Sequence, residues 1–111
     1  MYKVLITNHF KRQLKGLAKK DANLKDVLTN KLLNFSKNQA IHTGSGIYKI
    51  RLARSGQGKS GGYRLYVYMF EIEGYLTPIC IHAKNKRELI KLHETLEHLS
   101  KVKEEVRLMV N

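Results

Sequence analysis

The hydrophobic period of this chain changes twice, and that change limits the possible folds more than any other feature of the sequence. Up to Phe35 the apolar side chains recur every three or four residues. Phe10, Leu14 and Leu17 form one stripe, and Leu24, Leu28, Leu32 and Phe35 form a second. From Ile47 to Lys84 the period is two. From Asn85 onward Leu89, Leu92, Leu96, Leu99, Val102, Val106 and Met109 return to helical spacing. A chain that reads helix, strand and helix in blocks implies an α+β fold, with helices gathered against a largely antiparallel sheet.

Punctuation fits these blocks. Tyr2 to Ile6 reads as a short first strand, and Thr7 or Asn8 as the cap of the first helix. Asn23, with Asp26 three residues on, reads as the cap of the second, so the two helices form a hairpin. Ser36 to Gly46 is polar and glycine-bearing and reads as a connection. Three strands are expected, Ile47–Arg54, Tyr63–Phe70 and Leu76–Lys84, with a Ser55–Gly62 hairpin loop and an edge or bulge near Pro78. Asn85-Lys86-Arg87-Glu88 has the form of a capping box for a long terminal helix.

Alternation assigns the faces of the sheet. Tyr48, Ile50, Leu52, Leu65, Val67 and Met69, with Ile79 and Ile81, fall on the side that covers the helices. The other side collects Lys49, Arg51, Arg64, Tyr66, Tyr68, His82 and Lys84, a basic face interleaved with aromatics.

Charge gives that face a meaning. The 111 residues carry a formal net charge of +12, and residues 1–70 hold 14 basic but only 2 acidic side chains, Asp21 and Asp26. Between Val27 and Phe70 there is no acidic residue. Such a surface gains most from a polyanion, whose condensed counterions it releases, so nucleic acid or an acidic protein partner is expected. Solubility alone accounts for the scattered Lys11, Lys15, Lys19 and Lys20, but poorly for the acid-free middle. Hydrophobic residues at 42% suit one globular domain spanning 1–111. Neither a transmembrane run of about 20 apolar residues nor a signal peptide is visible, which places the chain in the cytoplasm and away from membranes. Cys80 is the only cysteine, and no Cys/His spacing suggests zinc.

Individual motifs are less decisive. Gly56, Gly58, Gly61 and Gly62 around Lys59 resemble a phosphate loop, but the Walker spacing fails and a strand follows where a helix should. Lys59 stays a candidate for touching a phosphate from a hairpin loop. Most of the five histidines read as surface residues, His93 and His98 on the terminal helix among them. His82 stands apart because it shares the basic face with Lys84. Tyr66 and Tyr68, on the face of Arg64, are candidates for stacking on a nucleobase.

The runs Gly44-Ser45-Gly46-Ile47-Tyr48-Lys49-Ile50-Arg51-Leu52-Ala53, Gly56-Gln57-Gly58-Lys59-Ser60-Gly61-Gly62-Tyr63-Arg64-Leu65 and His82-Ala83-Lys84-Asn85 together resemble the RelE/HigB family of toxins from bacterial toxin–antitoxin systems. The glycine-rich insert and the Lys-Asn pair are most similar to its HigB-type branch. The resemblance implies a compact fold of strand, two helices, three-stranded antiparallel meander and terminal helix, with one sheet packed on helices. It also implies a ribosome-dependent mRNA endonuclease that cleaves the codon in the ribosomal A site without metal or cofactor, stops translation, and is neutralised by a cognate antitoxin with a DNA-binding part.

By position, Lys49 and Arg51 match the family's basic pair on one strand and Arg64 its arginine on the next. Asn85 stands where some members have a further arginine, and no tyrosine follows in the terminal helix, so His82, Lys84, Lys86 and Arg87 are the candidates for the remaining roles. Lys11, Lys15 and Lys19 are expected to meet ribosomal RNA. Two other readings stay open: a relative that binds RNA or a partner without catalysis, and a ParE-like inhibitor of gyrase.

Overall fold

A computed structural model of the chain describes residues 2–54, 58–83 and 92–110, with the backbone alone at 54 and 58–61. Its elements run β1 (Lys3–Val4), α1 (Asn8–Ala18), α2 (Leu24–Leu33), a 3₁₀ turn (Lys37–Gln39), β2 (Ile41–Gly44), β3 (Ile47–Arg54), β4 (Gly58–Phe70), β5 (Tyr75–Ala83) and α3 (Leu92–Val110). The sheet has five strands in the order β1-β5-β4-β3-β2. Only the β1–β5 pair is parallel. This is the α+β arrangement expected, with one strand more at the β3 edge. β2 lies inside the segment expected to be a connection, and β4 begins at Gly58, inside the expected hairpin loop.

Helices cover both faces. On one, Phe10 of α1 and Leu24, Leu28 and Leu32 of α2 pack against Ile50, Leu52, Leu65, Val67 and Met69. Each such buried side chain is worth about 1.5–3 kcal/mol as an upper bound. On the other, Leu99, Val102 and Val106 of α3 pack against Ile47, Tyr66, Ile79 and Cys80. Ile79 therefore does not share a face with Ile81. Val67 pairs with Pro78 and Tyr66 with Cys80, leaving Ile79 as the extra residue of a β-bulge that inverts the alternation.

Caps position the helices. Thr7 Oγ1 accepts from Phe10 N at 3.2 Å, as expected for the start of α1. Asn23 makes no side-chain cap. The Asp21 carboxylate instead accepts from Asn23 N and from the Tyr63 hydroxyl, both at 3.1 Å, tying the start of α2 to β4. At the N-terminus of α1, the Glu105 carboxylate accepts from Asn8 N at 2.8 Å and His9 N at 2.9 Å, which docks α3 onto the positive end of α1. Gly62 lets β3 and β4 approach, since a Cβ there would overlap the Leu52 carbonyl oxygen.

Candidate active site

Strict alternation in β3 and β4 buries Ile50, Leu52, Leu65 and Val67, so the intervening residues emerge on the α3 side of the sheet. Strand pairing then sets them in rows. Arg51 lies opposite Arg64, and Arg64 opposite His82. In the adjacent row Lys49 lies opposite Tyr66, and Tyr66 opposite Cys80. Residues directly opposed across strands have Cβ atoms about 4.5–5.5 Å apart, a spacing at which like charges destabilise a sheet. The placement of Arg51 against Arg64, with Lys49 near, is thus a cost that folding alone does not explain.

Burial sharpens the point. Arg64 is only 6% exposed, and its Nε has no hydrogen-bond partner among the described residues. The one ion pair among those residues, Lys37 with Glu71 at 2.6 Å, joins the 3₁₀ turn to the β4–β5 turn and includes no member of this cluster. Burial first, then Arg64 and Arg51, hold the Lys49 ammonium below its ordinary value of 10.5. The His82 ring stacks on Tyr66 with centroids 6.0 Å apart and planes at 30°. Its Nδ1 lies 3.3 Å from the Ala83 carbonyl oxygen. Among the described residues the arrangement is a cationic cluster without a carboxylate. It can hold a phosphate, stabilise added negative charge on it, and offer an amine of lowered basicity and an imidazole for proton transfer.

The other expected residues fall elsewhere. Tyr66 is 2% exposed and packs beneath α3, so it is a core residue and not an open stacking platform. Tyr68 is also engaged: the Lys103 ammonium sits 4.9 Å from its ring centroid, and Phe70 meets its ring at 4.7 Å, nearly perpendicular. Periodicity makes both look open because it places a side chain on a face without showing what covers that face. Lys11 and Lys15 are exposed on α1 and Lys19 at its C-cap, and α1 packs along β5 with its buried Phe10 on the face of the sheet opposite the cluster. Lys84, Lys86, Arg87 and the Asn85 cap lie outside the described residues, as does the Lys59 side chain. Among the described residues no three metal-ligating side chains converge. The cluster is also separate from the groove of about 340 Å³ between α2 and β3, lined by Asn30, Phe35 and Ile50.

Three features have no local sequence signal. Glu105 reaches α1 across 97 positions. His98 is no isolated surface residue, since its Nδ1 lies 2.7 Å from Nε2 of His9. Gln13 of α1 bonds to the backbone of β5 on both sides of Cys80.

A family model described as the RelE toxin of the RelE/RelB toxin–antitoxin system matches residues 2–109. Among solved structures, the chain is similar to a double arginine-to-alanine mutant of the Escherichia coli toxin RelE in the free state, with a TM-score of 0.55 and 21% identity over 78% of this chain and 87% of that one. No curated protein sequence matches significantly.

Proposed function

Since the chain belongs to the RelE family of toxins of toxin–antitoxin systems, we propose that it is a ribosome-dependent mRNA endonuclease, cutting the A-site codon and restrained by a cognate antitoxin. One observation carries the reading: a buried arginine without an acidic partner among the described residues, set between a second arginine and a histidine and next to a lysine of lowered pKa.

The chemistry follows from that set. The 2′-hydroxyl of the mRNA attacks the adjacent phosphorus, its proton passes to a base, and the bond from phosphorus to the 5′-oxygen breaks as that oxygen is protonated. The products are a 2′,3′-cyclic phosphate and a 5′-hydroxyl. Arg64 and Arg51 stabilise the charge that builds on the phosphoryl oxygens. Proton transfer falls to Lys49 and His82, the amine and the imidazole set in the row of Arg64 and the row next to it. The ribosome supplies the orientation of the RNA backbone, and the exposed lysines of α1 supply contacts to ribosomal RNA. An acidic antitoxin segment suits the +12 charge, and its association should weaken with salt.

The test is translation in vitro with mapping of mRNA ends. Wild-type protein should produce new ends within the A-site codon, and Arg64→Ala should lose them by about a hundredfold or more, the scale of removing one transition-state donor. Free transcripts should be cut poorly. Intact mRNA on stalled ribosomes, or full activity of a folded Arg64→Ala, would refute the assignment.

A further inference from the structure

The outer edge of β5 is closed by two successive devices. Over its first half β1 does the work: Lys3 N donates to Gly74 O and Leu5 N to Leu76 O, both at 3.0 Å. The next amide of β5 due on that edge belongs to residue 78, a proline without an N–H, and there the parallel ladder ends. Beyond it lies the bulge, which shifts the outward-facing groups from even to odd residues. At that point the Gln13 side chain enters from α1. Its Nε2 donates to Ile79 O at 3.1 Å, and its Oε1 accepts from Ile81 N at 3.1 Å. A residue of a parallel strand makes this same pair of bonds, one to each side of its partner residue, so one carboxamide replaces one residue of missing strand.

What this holds in place is the phase of β5. Leu76, before the bulge, faces the α1–α2 core, and after it Ile81 and Ala83 do so. Without the extra residue the even positions would continue toward that core, and His82 would turn away from Arg64. We propose that Gln13 is a positioning residue: by bonding the backbone on both sides of Cys80 it locks Ile79 into the bulge and keeps His82 in the row of Arg51 and Arg64. The functional half of this statement rests on the endonuclease reading. The geometric half does not.

Two variants test it. Gln13→Met keeps the length and removes both bonds. In single-turnover cleavage on programmed ribosomes it should lower the saturated rate tenfold or more, with the half-saturating ribosome concentration within twofold of wild type. The nuclear Overhauser contact between the His82 and Tyr66 rings should weaken with it. Gln13→Glu separates this role from packing, because a protonated carboxyl can both donate and accept as the amide does, whereas a carboxylate repels Ile79 O. Its rate relative to wild type should rise as pH falls to 5, toward the ordinary carboxyl pKa of about 4.3, and stay low at pH 7.5. Wild-type rate in Gln13→Met, a change in half-saturation alone, or a lost rate with the ring contact retained would each overturn the proposal. If Gln13→Met does not fold, a flat relative pH profile in Gln13→Glu overturns it. If wild-type protein cleaves nothing on ribosomes, the endonuclease reading fails, and the ring contact in Gln13→Met still decides the positioning.

Discussion

Replacing Arg64 with methionine should make the protein more stable and less active together. Arg64 is 6% exposed, its Nε lacks a partner among the described residues, and it lies opposite Arg51. A buried polar group left unsatisfied costs about 1–3 kcal/mol, and a like-charge pair directly across strands adds about 0.2–1 kcal/mol. Methionine fills a similar volume without charge, so the folded state should gain about 1–4 kcal/mol, the range seen when buried charges give way to apolar side chains. For a chain of this size that raises Tm by roughly 4 °C per kcal/mol. Urea is the denaturant of choice, because guanidinium chloride would screen the repulsion being measured. The chain has no tryptophan, so far-ultraviolet circular dichroism follows unfolding. The slope m should stay constant while the midpoint rises. Cleavage on ribosomes should meanwhile fall by about a hundredfold. A variant less stable than wild type by about 1 kcal/mol or more, the worth of one hydrogen bond, would refute the reasoning, since the guanidinium would then be satisfied within the fold and not held for a ligand.

Two further outcomes follow from titratable groups. Between the lowered pKa of Lys49 and 10.5 the unfolded chain binds more protons than the folded one. Stability should therefore rise with pH across that window, and Lys49→Met should flatten the rise in urea midpoints measured from pH 7 to 10.5. His9 and His98 are both held below 6.5, chiefly by burial, with Lys101 near both and Arg12 near His9, while Glu105 opposes the effect at His9 and Glu94 and Glu97 oppose it at His98. Their 2.7 Å contact needs one ring nitrogen without a proton, so stability should fall as pH drops below 6.5 through their folded values, by about 1 kcal/mol for the bond itself, and His98→Gln should blunt that fall.

How much of this can be read from the residues depends on how local the signal is. Lys49, Arg51 and Arg64 are legible because β3 and β4 keep an unbroken period of two against a buried aliphatic face. Alternation from Ile79 and Ile81 puts His82 on the correct face, but only Ile81 supports that step, since Ile79 belongs to the α3 side. A bulge leaves no trace in alternation beyond the proline that precedes it. β2 is illegible because Ile41-His42-Thr43-Gly44 is short, half polar and recognisable only by its pairing with β3. The burial of Tyr66 is hidden for a related reason: amphipathic spacing gives α3 an apolar stripe without saying which surface that stripe will cover.

The carboxylate that closes the start of α1 has a bearing on how the chain is made. Asn8 and His9 present their amides to a side chain that is translated 97 and 96 residues later, and β1 must wait for β5 before it has any strand to pair with. Such long-range closure is slow compared with local helix formation. A nascent chain halted after β4 has no histidine beside Arg64, no neighbour for β1 and no carboxylate over α1. The cationic row is completed only when β5 has been made, and the cap on α1 only when the last turns of α3 have emerged, so neither exists in the partly made chain.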